Sequence, residues 1–350
     1  MRVVVVGATG NVGTSLVCQL AEDSRVEHVV GIARRVPALR IERVEWRAAD
    51  VRSGDLPACF RGADCVVHLA WKIQPAHRPR LLHQVNVEGS ARVFRAVVEA
   101  GVPALVYASS VGAYSPGPKD RAVDESWPTD GVETSFYSRH KAAVERILDG
   151  FERDHPDTRV VRLRPGLIFK REAATEIRRY FAGAFLPRML MRPQLIPIVP
   201  RIDRLRFQAV HSLDVGEAYR LAATRDVRGA FNVAAEPVLD PDELGRILDA
   251  RPVSVPPGLL RRLADVTWRL RLQPTPAGWV DMALAVPLMD VTRAREELGW
   301  RPARSSADAL LDLLGGMRDA SGVDTPPLSP STSGPMRARE ILTGVGGKNP

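Results

Sequence analysis

Three glycines follow an apolar stretch at the start of the chain, and this feature constrains the fold more than any other. Arg2–Val6 is β-branched, and the run GATGNVG that follows it contains Gly7, Gly10 and Gly13. A side chain in such a turn would keep a phosphate away from the backbone N–H groups of a helix N-terminus. The order therefore predicts a strand, a tight turn and a helix that bind a dinucleotide pyrophosphate. The predicted loop ligands are Gly7, Thr9, Gly10, Asn11, Val12 and Gly13.

The first half of the chain alternates short β-branched runs with segments of helical periodicity. This alternation is typical of a parallel sheet covered by helices on both faces. We therefore predict an α/β protein: a Rossmann-type doubly wound parallel sheet with a smaller C-terminal substrate-binding lobe. Strands are predicted at 2–6, 26–32, 44–47, 65–69, 104–108 and 159–163, and helices at 11–21, 80–100 and 138–151.

The pattern changes after Pro165, and we place a domain boundary there. The predicted dinucleotide-binding core is 1–166, and a segment of about 207–233 returns to it with a helix over 212–224, N-capped by Ser212, and a strand over 230–233. The predicted substrate lobe, mostly helical, comprises 167–206 and 234–320. In 321–335, 12 of 15 residues are Pro, Gly, Ser or Thr. Because such a composition buries little apolar surface, we predict a disordered tail over 321–350.

Composition excludes several classes of protein. The net charge of +8 comes from 44 arginines and five lysines that are scattered along the chain, so we predict no nucleic-acid partner. The three cysteines, Cys18, Cys59 and Cys65, lack metal-ligand spacing, which predicts no metal site and a reducing, cytoplasmic location. No apolar run has the length of a membrane span, so we predict neither export nor a membrane partner.

The end of the second predicted strand bears on the choice of dinucleotide. An acidic residue that binds the adenosine ribose is expected about 20 residues after the last glycine. Ala33 occupies that position, and Arg34 and Arg35 follow it. Guanidinium groups suit a 2′-phosphate, so the sequence favours NADP(H), with NAD(H) as the other possibility.

Two further strand ends carry candidate cofactor contacts. Asp50 and Val51 follow the third strand, where a carboxylate can accept a hydrogen bond from the adenine amine. Leu69 and Ala70 follow the fourth strand and form a small-residue turn along which a cofactor can lie.

A tyrosine and a lysine one helical turn apart form the predicted catalytic centre with a serine. Tyr137 and Lys141 share a helix face in YSRHK, and a lysine ammonium stabilises a phenolate, so Tyr137 can act as the acid/base. Ser110, in YASSVGAY at the end of the fifth strand, is positioned to hold a substrate oxygen. The absence of a Gly-x-Ser-x-Gly elbow excludes a Ser-His-Asp hydrolase of the α/β-hydrolase type.

Together these motifs, with NVEGS at 86–90 and RPG at 164–166, resemble the extended short-chain dehydrogenase/reductase family, also called the NAD-dependent epimerase/dehydratase family. The similarity covers about 1–305. It implies cofactor binding by the three glycines and catalysis by Ser110, Tyr137 and Lys141. It also implies that Asn86 lies near the active site, that Pro165 and Ile168 border the nicotinamide, and that the protein is a homodimer through the segments matching 80–100 and 138–151.

Departures from the family bear on the substrate. The acidic pair with which sugar dehydratases follow the catalytic hydroxyl is replaced by Val111 and Gly112, which disfavours a dehydratase. The apolar segment 186–199 can line a greasy pocket, whereas arginines 178, 179, 188, 192, 201, 204 and 206 can bind an anionic substrate. Three interpretations stay open: an alcohol/ketone oxidoreductase, a nucleotide-sugar 4-epimerase without net redox change, and a non-catalytic dinucleotide sensor or scaffold.

Overall fold

A seven-stranded, fully parallel sheet forms the centre of the computed structural model, which describes residues 1–74, 76–182 and 197–329. Its strands lie in the order β3-β2-β1-β4-β5-β7-β11, so the order reverses between β1 and β4. In open α/β sheets, ligands bind at the carboxyl edge of such a switch point. The strands, including those outside the main sheet, are β1 Arg2–Val6, β2 His28–Ala33, β3 Val44–Ala48, β4 Cys65–His68, β5 Ala104–Ala108, β6 Ala122–Val123, β7 Arg159–Pro165, β8 Leu167–Phe169, β9 Ile198–Arg201, β10 Ala209–His211, β11 Gly229–Val233, β12 Arg251–Ser254 and β13 Leu288–Met289.

Helices cover both faces of the sheet, because consecutive side chains of a strand point to opposite faces. Val3 and Val5 of β1 are buried against α1 and α7, whereas Val4 and Val6 are buried against α2, α4 and α5. The predicted doubly wound α/β fold is therefore confirmed. The helices are α1 Asn11–Glu22, α2 Leu56–Phe60, α3 Pro79–His83, α4 Gly89–Glu99, α5 Phe136–Asp154, α6 Ala174–Ile177, α7 Ser212–Thr224, α8 Pro241–Leu248, α9 Pro257–Arg269, α10 Gly278–Ala285, α11 Thr292–Glu296 and α12 Ser306–Asp319.

Two predictions of helix detail differ from the structure. The segment 80–100 is not one α-helix, because a π-helical turn over Gln84–Glu88 separates α3 from α4. The N-cap of α7 is His211 rather than Ser212: Nδ1 of His211 accepts from the backbone N–H of Leu213 at 3.2 Å. The Ser212 hydroxyl instead lies 2.9 Å from the Ser15 hydroxyl on α1, so helix packing takes the side chain away from the cap.

Three parallel strand pairs that apolar periodicity did not predict involve strands of the second lobe. The pairs are β8 with β10, β9 with β12 and β6 with β13. The returning strand β11 joins the main sheet, where it lies beside β7. Residues 183–196, which include most of the predicted greasy segment, lie outside the described residues.

Residues 321–329 do not follow the prediction of a disordered tail. Residues 321–329 pack on the body of the protein, with Thr325 and Leu328 only 1% and 0% exposed. The Thr325 hydroxyl donates to the carbonyl oxygen of Thr9 at 3.0 Å, and Thr175 donates to the carbonyl of Ser321. The buried side chains of Thr325 and Leu328 thus hold this segment in place despite a composition rich in Pro, Gly, Ser and Thr. Residues 330–350 lie outside the described residues. Among the described helices, none has the length and apolarity required to cross a membrane.

Candidate active site

Backbone atoms packed around the glycine-rich loop that joins β1 to α1 leave no room for a side chain at two of its glycines. Gly7 adopts φ +90°, and a Cβ there would lie 2.7 Å from the backbone nitrogen of Ala70. A Cβ at Gly13 would lie 2.4 Å from the carbonyl oxygen of Gly7. Glycine is therefore required at both positions, and the N-terminal N–H groups of α1 face a cradle without side chains. These features fit the pyrophosphate of a dinucleotide.

The other candidate residues follow the carboxyl ends of the parallel strands, and the fold brings these ends to one edge. Thr9 and Val12 lie in the glycine-rich loop. The Asn11 amide donates to the carbonyl oxygen of Ile168 at 3.2 Å, so this side chain links the loop to β8. The remaining candidates at this edge are Arg34 and Arg35 after β2, Asp50 and Val51 after β3, Leu69 and Ala70 after β4, Ser110 after β5, and Pro165 at the end of β7.

The residues predicted to bind the ribose are exposed, whereas the carboxylate predicted to bind the adenine already has a partner in the protein. Arg34 and Arg35 are exposed beyond Ala33, the last residue of β2. The Asp50 carboxylate, by contrast, is bound by the Arg52 guanidinium at 2.8 Å, and this hydrogen bond lowers the pKa of Asp50. To bind adenine, the Asp50 carboxylate would therefore have to accept hydrogen bonds from both Arg52 and the adenine amine.

Asn86 makes protein contacts rather than facing an open space. Its Oδ1 accepts from the backbone N–H of Lys72 at 2.7 Å, and its Nδ2 donates to the carbonyl of Lys72 at 2.8 Å. The residue is fully buried in the π-helical turn. Asn86 thus holds the segment after β4, which contains Leu69 and Ala70, against the helical layer.

The first turn of α5 carries Tyr137 and is tied to the turn that carries Ser110. Ser135 caps α5, and the Ser138 hydroxyl donates to the carbonyl oxygen of Gly112 at 2.5 Å. Ser110 in turn caps the short 3₁₀ turn over 111–113 by accepting from the backbone N–H of Gly112 at 3.0 Å. The Tyr137 ring lies against this turn, since a Cβ at Gly112 would lie 2.8 Å from its Cε1, and Ser110 acts to lower the pKa of Tyr137. The fold therefore brings the predicted serine and tyrosine together.

Lys141 lies one turn further along α5 and is 2% exposed. Its ammonium donates to the carbonyl oxygen of Ala108 at 2.6 Å and lies 3.6 Å from the centroid of the Trp71 ring. Burial lowers the pKa of Lys141 to about 7, although the negative charge of Glu145 opposes this shift. The aromatic face and the carbonyl partly replace the water that the cation loses.

Tyr137 differs from the sequence-based expectation in its protonation. Burial raises the pKa of Tyr137 to about 12, and Ser110 opposes the shift. The Lys141 ammonium lies 5.9 Å from the Tyr137 ring centroid and donates to the Ala108 carbonyl. At neutral pH Tyr137 is thus a neutral phenol, the form that donates a proton.

A buried ionic network beneath this site was missed by the sequence analysis. The Glu145 carboxylate, 0% exposed, is bound by Arg162 at 2.8 Å and by Arg164 at 2.9 Å, and it accepts from the Ser109 hydroxyl at 2.5 Å. Burial raises the pKa of Glu145, but the two arginines outweigh it and bring the pKa to about 2. The signal available in the sequence was the four-residue spacing of Tyr137, Lys141 and Glu145.

Aromatic side chains around Tyr137 were also missed. Its ring lies 4.9 Å from that of Trp279 and 5.9 Å from that of Trp71, measured between centroids. Trp279 lies on α10, a helix the sequence analysis did not predict. No spacing rule connects these tryptophans to Tyr137, because they are far apart in the chain. Among the described residues, no group of three or more His, Cys, Asp or Glu could hold a metal ion.

Comparisons with known proteins extend this picture. Residues 3–234 match the NAD dependent epimerase/dehydratase family. An uncharacterized protein of Mycobacterium tuberculosis is 28% identical over 330 residues; the match covers 92% of this chain, which spans only 31% of that relative.

Two solved structures share the fold. One is the UDP-glucose 4-epimerase of Thermotoga maritima with UDP-glucose, at 19% identity and a TM-score of 0.66; the match covers 91% of this chain and 99% of that chain. The other is the dTDP-glucose 4,6-dehydratase DesIV of Streptomyces venezuelae with NAD and TYD bound, at 20% identity and a TM-score of 0.67; the match covers 91% of this chain and 97% of that chain. The family match over most of the chain, on a parallel sheet with a glycine-rich first loop, shows that the chain belongs to the NAD-dependent epimerase/dehydratase family, the extended short-chain dehydrogenases/reductases.

Proposed function

We propose that the protein is an NAD(P)-dependent oxidoreductase that interconverts a secondary alcohol and a ketone, with Tyr137 as the acid/base. The observation that carries the proposal is the placement of Tyr137 against the turn of Ser110 and beside Lys141, at the carboxyl edge of the sheet. A non-catalytic sensor would not require this pair. The substrate is a small molecule, as it is for the neighbour crystallised with UDP-glucose.

The chemistry follows from the protonation states at the site. When bound, a nicotinamide dinucleotide would supply or accept the hydride at the carbonyl carbon. In the direction of reduction, the neutral Tyr137 hydroxyl donates its proton to the carbonyl oxygen as the oxygen becomes an alcohol. Ser110 orients that oxygen by a hydrogen bond. In its protonated form, Lys141 stabilises the phenolate that remains on Tyr137.

The same groups serve a nucleotide-sugar 4-epimerase, in which hydride returns to the molecule that supplied it. Net redox change separates the two activities. A reductase consumes reduced cofactor in proportion to product, whereas an epimerase leaves its absorbance unchanged.

We test the proposal with Tyr137→Phe, which keeps the ring between Trp71 and Trp279 and removes only the hydroxyl. The turnover number should fall by on the order of 10²–10⁴-fold, the usual contribution of a positioned acid/base. Cofactor affinity, measured by calorimetric titration, should change little. Retention of wild-type turnover in Tyr137→Phe would contradict the acid/base role.

We further propose that NADP(H) is the preferred cofactor. Support comes from Arg34 and Arg35, which are exposed at the end of β2 where a ribose-binding acid is absent. Arg34→Ala should weaken NADPH binding by about ten- to a hundred-fold and NADH binding much less, because a guanidinium–phosphate pair is a charge-assisted contact. NADH is the internal control in the same titration. Equal losses for both dinucleotides would remove Arg34 from this role.

Homodimerisation and a cytoplasmic location are also proposals. A shallow groove between α4 and α5 is lined by Phe94, Val98, Ile147 and Phe151, and Val98 is 37% exposed. A second copy of the same two helices would cover this apolar surface. The three cysteines are free thiols, which suits a reducing compartment.

A further inference from the structure

The substrate side of Tyr137 is bordered by three large aromatic side chains, Trp71, Phe181 and Trp279, which we call the aromatic wall. Trp279 tilts over the Tyr137 ring at 4.9 Å and 37°, and Trp71 meets it edge-on at 5.9 Å. Phe181 packs at 90° on Trp279, with the ring centroids 4.9 Å apart, and is 38% exposed. A molecule that reaches the Tyr137 hydroxyl therefore passes along flat apolar surfaces.

One side of the wall packs on apolar residues. Buried Val132, Met282 and Val286 form one cluster with the rings of Tyr137 and Trp279. The Lys141 ammonium lies against Trp71 and the Ala108 carbonyl. The wall side chains offer sugar hydroxyls only the indole N–H groups of Trp71 and Trp279 as partners, and burying a hydroxyl without a partner is costly. Apolar rings would gain from burial and from stacking.

Three of the arginines predicted to bind an anion are held by structural contacts in the described part of the lobe. Of two others, Arg178 is buried and Arg179 lies 5.3 Å from the centroid of the Tyr180 ring. Arg201 pairs with the carboxylate of Asp242. Arg204 donates to the carbonyl oxygens of Gly117 and Leu284, and Arg206 donates to that of Lys119. These guanidiniums join segments of the lobe to one another. Of the arginines predicted to bind an anion, Arg188 and Arg192 lie outside the described residues.

We propose that the substrate is an uncharged, largely apolar ring compound whose alcohol or ketone carbon lies at Tyr137 and whose ring system stacks on the aromatic wall. The proposal rests on the oxidoreductase function proposed above. It assigns Trp71 and Trp279 to substrate specificity and sets this chain apart from enzymes that bind a nucleotide sugar.

The test compares 4-phenylcyclohexanone with cyclohexanone as substrates of the full chain with NADPH. The phenyl ring should raise kcat/KM at least about tenfold, because one well-placed apolar group in a pocket discriminates by roughly 10- to 200-fold. Trp279→Ala should remove most of this preference, and Trp279→Phe should restore it. Trp268→Ala is the matched control: this tryptophan stacks on His77, away from Tyr137, and its loss should leave the preference unchanged.

UDP-glucose is the third probe, and its conversion distinguishes a failure of this inference from a failure of the proposed function. Tyr137-dependent conversion of UDP-glucose, without preference for the phenyl ketone, would overturn the apolar substrate and leave the oxidoreductase or epimerase function intact. If neither ketone is reduced by NADPH and UDP-glucose is not converted in the presence of the oxidised dinucleotide, the result would count against both. Calorimetric titration of the NADPH-bound protein adds a readout besides turnover: tighter binding of UDP-glucose than of 4-phenylcyclohexanone would also overturn the inference.

Discussion

At the scale of single residues, the site depends on buried charges that are fully partnered. Glu145 is enclosed by Arg162, Arg164 and Ser109, and Ser109 precedes the candidate catalytic residue Ser110. Removing one member of such a network leaves the others buried without compensation, which costs more than the network itself contributes. Glu145 is therefore a positioning residue: it fixes the end of β5 relative to α5 without touching the substrate.

Glu145→Gln should lower the free energy of unfolding by about 3–5 kcal/mol at neutral pH, because buried Arg164 loses its paired carboxylate and Arg162 keeps only those of Asp149 and Glu152. The folded-state pKa of Glu145, about 2, lies below its usual value of 4.5. Its ionisation therefore stabilises the fold above about pH 4.5, and this stabilisation is lost as the pH falls towards 2.

Urea denaturation at neutral pH and near pH 3 checks this prediction, and the difference between wild type and Glu145→Gln should narrow at the lower pH. Glu99→Gln, at the exposed end of α4, is the control and should be nearly neutral. A difference that stays constant with pH would show that the charge of Glu145 is not the cause.

At the scale of elements, α5 carries most of the chemistry. Tyr137, Lys141 and Glu145 follow one another at intervals of four residues, so they share a face of the helix and point to the end of β5. The hydroxyl of Ser138 ties the start of α5 to Gly112. One helix thus positions the proton donor, the cation and the buried carboxylate together.

The segment 321–329 is the second element with a functional consequence, since Thr325 contacts the glycine-rich loop at Thr9. A chain that ends at Ala320 loses the buried side chains of Thr325 and Leu328. Its melting temperature should fall by about 2–4 °C, and its dinucleotide affinity should weaken because the loop loses a contact. Calorimetry and cofactor titration measure both effects.

A chain that ends at Ser329 is the matched control for this truncation, since it keeps the docked segment. The loss of stability and affinity should appear only in the shorter variant. Equal melting temperatures for the two truncated chains would show that the contact at Thr9 contributes nothing measurable.

At the scale of the whole molecule, the sheet collects residues from distant parts of the chain at one edge. The glycine-rich loop follows β1, the exposed arginines follow β2 and Ser110 follows β5, and these strands lie within one run of four neighbours, β2-β1-β4-β5. Because all seven strands are parallel, their carboxyl ends face the same way. The second lobe joins this edge through β8, whose residue Ile168 contacts Asn11.

The sequence by itself determined where the strands of the core lie along the chain, the glycine-rich loop and the Tyr137–Lys141 pair, because strand periodicity, glycine sterics and helical spacing are local properties. Only the tertiary structure decided that Arg52 pairs with the Asp50 carboxylate and that Asn86 is hydrogen-bonded to the backbone of Lys72. It also decided that the rings of Trp71 and Trp279 contact Tyr137 and that the segment 321–329 packs against the glycine-rich loop. These features depend on contacts between residues far apart in the chain, and no local pattern encodes them.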